Sequence, residues 1–354
     1  EALRDGLARW YRARRRRLPW REEPTAYRVW VSEIMLQQTQ VATVIPYFER
    51  FIARFPDVHT LAAAPEEAVL AHWAGLGYYR RCRYLHAASK VIVAEHGGVL
   101  PDTVAGLLSL PGVGRYTAGA IASIAYGVAA PVLDGNVSRV LSRLLALQEE
   151  VDGAAGKRAL WAAAETLLDP IDPSSHNQAL MELGALVCSP TKPACPTCPL
   201  SDHCAAGRSG EAESYPRKRP RKRPSPALAV AGLVVDDAGR VLMARRPSDV
   251  LLGGLWELPG GEITADATHR PSVRQWLDER VGVTATVGRH LASVEHVFTH
   301  RHLTLDVYRV ESHEGEPTPQ WYTDARWISP SELDDLPLSR LAEKVLAAVG
   351  HGRL

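Results

Sequence analysis

Up to about residue 206 the apolar positions recur every three or four residues, and from Ala227 onward they alternate with polar ones. These are the periods of helix and strand. The opening reads as an amphipathic helix ending in the arginine run Arg14–Arg17, and Leu18-Pro19-Trp20-Arg21 breaks it. The spacing predicts a helix over Tyr27–Gln40 and further helices through VATVIPYFERF, PEEAVLAHWAGL and RCRYLHAASKVIVAEHG. Pro101 and Asp102 can start and cap a short helix over Thr103–Ser109. LPGVG then forces a hairpin in which Gly112 and Gly114 both take backbone angles other residues avoid. A second helix is expected from Arg115 to about Ala125 and a third from about Val137 to Leu147, with helical pattern again over 150–187. The stretch 207–226, rich in Pro, Gly, Ser and charge, cannot bury a core and reads as a linker. Beyond it, strands are expected in ALAVAGLVVDDAGRVLMARR around an Asp237-Ala238-Gly239 turn, then in HLTLDVYRV and ARWIS. Helices are expected near Ser272–Val281 and over Ser331–Val349.

Four places in this pattern carry candidate chemistry. Glu33 shares a helical face with Val29, Trp30, Leu36 and Gln37, most of it apolar. A carboxyl there would be desolvated and hold its proton near neutral pH, as a general acid must. Spacing alone fits better a glutamate at the rim of a core, paired with an arginine. Asp134 stands at the mouth of the third helix, whose positive end favours an ionised carboxylate. The glycine-lined start of the second helix offers free N–H groups to a phosphate oxygen. A phosphate clamp and an ionised acid twenty residues apart point to chemistry on a nucleic-acid backbone or its sugar. Between two helices, Gly75-Leu76-Gly77-Tyr78-Tyr79-Arg80-Arg81 sets an aromatic pair beside arginines, which suits stacking on bases or simple turn packing.

The 354 residues suffice for two or three domains, and 46% hydrophobic content can fill their cores. No apolar run approaches the ~20 residues of a membrane span, and no signal peptide is evident, so a cytoplasmic, membrane-free setting is expected. The net charge of +1 conceals an asymmetry: residues 1–226 carry 28 Lys and Arg against 22 Asp and Glu, and residues 227–354 carry 13 against 18. The basic part is the better candidate for a polyanion surface. Four of the five cysteines, Cys188, Cys195, Cys198 and Cys204, follow a C-x6-C-x2-C-x5-C spacing. That clustering implies a metal site in a reducing compartment, and softness alone leaves zinc and an iron–sulfur cluster both open. Cys82 reads as a small core residue.

LPGVGRYTAG followed by VLDGNVSRV resembles the helix-hairpin-helix and aspartate signature of the endonuclease III superfamily of DNA glycosylases. SEIMLQQTQV, with LPWR upstream, is similar to the catalytic segment of the adenine DNA glycosylases within it. By that resemblance Glu33 is the acid, Trp20 and Arg21 lie near an extruded base, and Leu36 and Gln38 wedge into the duplex. Tyr78 would intercalate, Glu182 would contact the adenine, and Asn136 would orient Asp134. Lyase-competent members carry a lysine two residues after the second hairpin glycine; here Tyr116 stands there, so no Schiff base can form and plain hydrolysis is implied. The cysteine spacing is that family's [4Fe–4S] loop.

The region from Ala227 looks like a Nudix fold. Its metal-holding, glutamate-rich helix aligns with Gln275-Trp276-Leu277-Asp278-Glu279-Arg280, where Trp276 and Arg280 replace carboxylates, so phosphohydrolase activity is not expected. In the adenine glycosylase family this domain reads 8-oxoguanine, and Phe298-Thr299-His300 matches the recognition loop, with Thr299 in place of serine. The resemblance thus implies an all-α helix-hairpin-helix core with a cluster loop and a C-terminal α+β Nudix-like domain. Its parts would be 1–22 with 131–206, 23–130, the linker 207–226, and 227–354. It implies a monomer acting on double-stranded DNA with A:8-oxoG or A:G mispairs; another mismatch or oxidised-pyrimidine glycosylase of the superfamily is the alternative.

Overall fold

A computed structural model describes residues 1–220 and 223–350. Arg221 and Lys222, in the basic run of the expected linker, lie outside the described residues, as do the last four residues of the expected C-terminal domain. The chain forms two compact units, Glu1–Ala63 with Tyr84–Pro220, and Ala64–Arg83 with Arg221–Leu354. The stretch 64–83, which the pattern places among the N-terminal helices, therefore groups with the second unit.

The first unit is helical. Its elements are α1 (Ala2–Arg14), α2 (Pro19–Glu22), α3 (Ala26–Leu36), α4 (Val41–Arg54) and α5 (Val58–Ala63). After α6 (Glu66–Trp73) in the second unit, α7 (Arg80–His96) leads back. Then come α8 (Val104–Leu108), α9 (Arg115–Tyr126), α10 (Gly135–Leu144), α11 (Ala154–Leu167), α12 (Pro173–Leu186) and the short α13 (Ala205–Arg208). One core holds Leu7, Tyr11, Val137, Leu141, Leu160, Leu180 and Leu183, from α1, α10, α11 and α12. The central α9 packs on α3, α8 and α12, with Ala118, Ala120, Ile121 and Ala122 fully buried. Small side chains there let the neighbouring helices approach closely. Cys82 is buried, as a core cysteine should be.

Several boundaries differ from the sequence pattern. α3 stops at Leu36 instead of running to Gln40, because Gln38 turns left-handed at φ 58°. The cap of α8 is the Thr103 hydroxyl, which accepts from the Gly106 amide, and Pro101 and Asp102 play no such part. In the hairpin only Gly112 needs its freedom, with φ 74° and a would-be Cβ 2.4 Å from the Tyr84 Cβ. Gly114 sits at an ordinary extended φ of −94° and caps α9. α10 begins and ends earlier than expected, at Gly135 and Leu144.

The second unit carries β1 (Ser225–Leu233), β2 (Val241–Arg245), β3 (Trp256–Glu257), β4 (Gly260–Ile263), α14 (His269–Val281), β5 (Thr284–Val297), β6 (Arg301–Glu314), β7 (Asp324–Ile328) and α15 (Arg340–Val349). One sheet has the order β4-β1-β6-β5, with β1 and β6 parallel; the other is antiparallel β3-β2-β7. The Asp237–Gly239 turn exists, with Gly239 at φ 77°, yet β1 and β2 part into different sheets and share only a bridge at Val235 and Val241. The long strand β5 was not evident in the alternation, since its exposed face mixes charge and small residues. The expected helix over Ser331–Val349 divides into a 3-10 turn at Pro330–Asp335 and α15, whose start Ser339 caps. Pro337 lies between them and has no N–H to continue a helix.

Candidate active site

The first unit contains a cleft of about 670 Å³, and Trp20, Arg21, Glu33, Leu36, Gln38, Gly112, Gly114, Tyr116, Asp134, Asn136 and Glu182 all line it. α3 delivers Glu33, α9 delivers Tyr116, and the junction into α10 delivers Asp134. The two carboxyls, a hundred positions apart in the chain, thus face one space.

Their surroundings differ. Glu33 is 5% exposed, and its Oε2 accepts a short hydrogen bond from the Tyr116 hydroxyl. Burial pushes its pKa up to about 7; the Tyr116 bond pulls it down, Asp134 adds to the rise and Arg21 opposes it. Burial also holds the Tyr116 phenol protonated far above its ordinary range, so the residue remains a donor. Asp134 is the N-cap of α10: its Oδ1 accepts from the Val137 amide at 2.7 Å and its Oδ2 from Asn136 Nδ2 at 3.1 Å. Burial raises its pKa too, against the lowering by those N–H donors and by Arg139. The helix start therefore does not depress it outright, contrary to the sequence expectation. Still, each Asp134 oxygen meets an N–H donor, an arrangement suited to a carboxylate, whereas Glu33 is buried with the Tyr116 hydroxyl on one oxygen.

Asn136 is itself held. Arg139, one turn along α10, donates to Asn136 Oδ1 at 2.8 Å, to the Gly184 carbonyl at 2.7 Å and, through Nε, to the Cys188 carbonyl at 2.7 Å. A Cβ on Gly184 would lie 2.6 Å from Asn136 Cβ, so only glycine lets α12 come this near. Glu182 is 1% exposed and accepts from Arg16 Nε at 2.8 Å and from Arg21 Nη2 at 3.0 Å. Burial works to raise its pKa, but the two guanidiniums outweigh it and hold it down at about 2. Trp20 packs edge-on against Phe48 with ring centres 5.3 Å apart. Gln37 donates to Thr117 Oγ1 at 3.3 Å, tying α3 to α9. Met181 places its Sδ 3.3 Å from the Tyr116 oxygen.

The four cysteines line a second cavity of about 320 Å³ in the same unit. Among the described residues no three His, Cys, Asp or Glu side chains gather closely enough for a single metal ion. Arg143, 2% exposed, donates to Cys188 Sγ at 3.3 Å and to the carbonyls of Ser189, Pro190 and Tyr215. The Gly207 amide donates to Cys204 Sγ at 3.3 Å. Such donors suit anionic sulfur.

In the second unit, Tyr78 is 47% exposed at φ 50°, beside the Arg81 guanidinium at 5.2 Å. Tyr79 is buried, and its hydroxyl donates to the Leu338 carbonyl. Phe298, Thr299 and His300 form the tip of the β5–β6 hairpin; Phe298 packs on the core and His296 while Thr299 and His300 are exposed. Where a metal helix would carry carboxylates, the Arg280 guanidinium lies 4.2 Å from both the Trp276 and Trp321 ring centres and donates to the Gly260 carbonyl at 2.8 Å.

Sequence reasoning missed Arg16, Arg139, Arg143 and Met181. Arg139 and Arg143 stand one turn apart on α10, but their acceptors at Gly184, Cys188 and Ser189 lie more than forty residues away, so the local pattern carries no signal for them. Arginines on a buried stripe need fixed acceptors.

The chain is 38% identical to the human adenine DNA glycosylase over 97% of its own length and 73% of that protein's. The chain belongs to the adenine DNA glycosylase family. The rat adenine DNA glycosylase is 36% identical over 97% of the chain and 77% of its own length. Residues 31–164 match the HhH-GPD superfamily base excision DNA repair proteins, and residues 230–348 match the NUDIX domain. Among solved structures, a thermostable thymine-DNA glycosylase aligns with TM-score 0.52 and 27% identity, covering 58% of this chain and 95% of that one. The helix-hairpin-helix core and the Nudix-like domain are thus as the sequence predicted, and the enzyme is a DNA glycosylase. Among the described residues no helix is long and apolar enough to cross a membrane.

Proposed function

We propose that this glycosylase removes adenine mispaired with 8-oxoguanine, and also with guanine, from duplex DNA by hydrolysis alone. The observation that carries the reading is the cleft that brings Glu33, Tyr116 and Asp134 together with no lysine at the hairpin. A base within a duplex must be extruded before its glycosidic bond is reached, and Leu36 and Gln38 at the end of α3 are the wedge. Cleavage leaves negative charge on the base and positive charge on the sugar. Glu33, protonated near neutral pH, gives its proton to the departing adenine. Tyr116, still donating to the same carboxyl, stabilises the charge that Glu33 then bears. Asp134, fixed by the Val137 amide and Asn136, stabilises the sugar cation or traps it, and water completes the reaction. The two acids divide acid and anion roles as paired carboxylates do in glycosidases.

The amides at the start of α9 and the Arg80–Arg81 pair meet backbone phosphates. Tyr78 inserts at the lesion, and Phe298, Thr299 and His300 read 8-oxoguanine. Glu182 acts at the base through the Arg16 and Arg21 guanidiniums it holds. Cys188, Cys195, Cys198 and Cys204 would hold a [4Fe–4S] cluster: the donors are four soft thiols lining one cavity of about 320 Å³. That group would supply a rigid cross-link among the four thiolates of the 188–204 loop. The protein acts as a monomer in the cytoplasm.

Single-turnover excision on duplexes bearing A:8-oxoG, A:G, T:G and thymine glycol tests the reading. Adenine release from the first two, with strands cut only after hot alkali, is the expected result. Strand scission without alkali, or activity confined to pyrimidines, would overturn it. Glu33→Gln and Asp134→Asn should each lower the rate by at least about a hundredfold while duplex binding survives.

A further inference from the structure

Met181 stands out among the sulfur groups that the mechanism does not use. The chain has three methionines. Met35 and Met243 are completely buried in cores, whereas Met181 is partly exposed and lines the catalytic cleft. Its thioether lies 3.3 Å from the oxygen of Tyr116, the residue whose one proton is given to Glu33. A thioether is a weak acceptor and leaves that proton to the carboxyl. A sulfoxide oxygen is a strong one.

We propose that Met181 is a site of oxidative modification through which peroxide lowers the activity of this glycosylase. Its sulfur loses two electrons and gains one peroxide oxygen; the O–O bond breaks, and the other oxygen leaves as water. The new S=O group sits within reach of the Tyr116 hydroxyl and competes with Glu33 for it. Glu33 then loses the donor that stabilises its anionic form after proton transfer. It also becomes harder to ionise, since the Tyr116 bond is what opposes the effect of burial there. Met181 is thus a positioning residue, acting through Tyr116. The chemistry is reversible, because methionine sulfoxide is returned to the thioether by reductases. The inference rests on the excision reading above, with Glu33 as acid.

The test treats the whole chain with hydrogen peroxide, maps oxidised residues by mass spectrometry, and follows single-turnover excision of adenine against pH. Each protein is compared with its own untreated sample, and the visible absorbance of the thiol-bound group is held equal between samples. Oxidation should fall selectively on Met181, slow excision roughly ten- to a hundredfold and move the alkaline fall of the rate to higher pH. Methionine sulfoxide reductase should restore both rate and profile. Met181→Leu, which offers no sulfur, should keep its own rate after the same exposure. The proposal fails if Met181 resists oxidation, if the oxidised protein keeps its rate and profile, or if Met181→Leu loses activity in the same proportion. An untreated protein that releases no adenine would instead remove the excision reading beneath it.

Discussion

At the scale of single residues, the buried carboxyl of Glu33 makes the stability of the fold depend on pH. Its folded pKa of about 7 lies above the ordinary 4.5. A raised carboxyl pKa contributes fully below the unfolded value and is lost as pH climbs through the folded one. The wild-type fold should therefore weaken between about pH 4.5 and 7, by on the order of 3 kcal/mol. Glu33→Gln removes that charge, so its thermal midpoint should exceed that of the wild type at pH 8 and match it near pH 4.5; equal midpoints at pH 8 would refute the burial argument. Tyr116→Phe deletes the donor that lowers Glu33. The alkaline fall of the excision rate should then move to higher pH, with a slower plateau, and an unmoved profile would disconnect Tyr116 from the acid. Glu182 works with the opposite sign: its depressed pKa supports the fold above pH 4.5 and ceases to as pH falls toward 2.

Helix by helix, the setting of Asp134 and Asn136 depends on how α10 meets α12. The sequence made Asp134 and Asn136 legible because capping is local chemistry, read over three or four residues. Arg139 was not legible, since its partners Gly184 and Cys188 lie 45 and 49 residues away. The same holds for Glu182: pattern alone could not tell that two arginines from the N-terminus converge on it. Helix ends were misjudged where a single left-handed residue, Gln38, overrode an unbroken apolar period. Arg139→Ala should leave Asn136 without its guanidinium partner and let the Asp134 carboxylate drift. The expected result is excision slowed roughly tenfold or more, with duplex affinity little changed. Loss of binding in place of rate would show that Arg139 serves the DNA surface instead.

Across the whole molecule, charge and fold sort together. The N-terminal region holds the surplus of cations, and the Nudix-like region the surplus of anions. The affinity of the chain for duplex should fall steeply with salt, log Kd against log salt having a slope of roughly one per phosphate engaged. A flat salt response would mean that phosphates contribute little. The fold class was readable across nearly the full length because two periodicities and several motifs agreed. What the pattern missed was non-local: β1 and β2 part company after an apparently ordinary turn, and β5 alternates too weakly to announce itself.

The Trp276–Arg280–Trp321 stack has a consequence for how this scaffold can change. A single carboxylate in place of Arg280 would come at a structural cost. It would take the 2.8 Å donor from the Gly260 carbonyl, leaving the Tyr322 hydroxyl at 3.3 Å, and open a slot between two indoles. Packing as well as the missing ligands thus stands against metal-binding carboxylates on this helix, and installing them would need several coordinated changes.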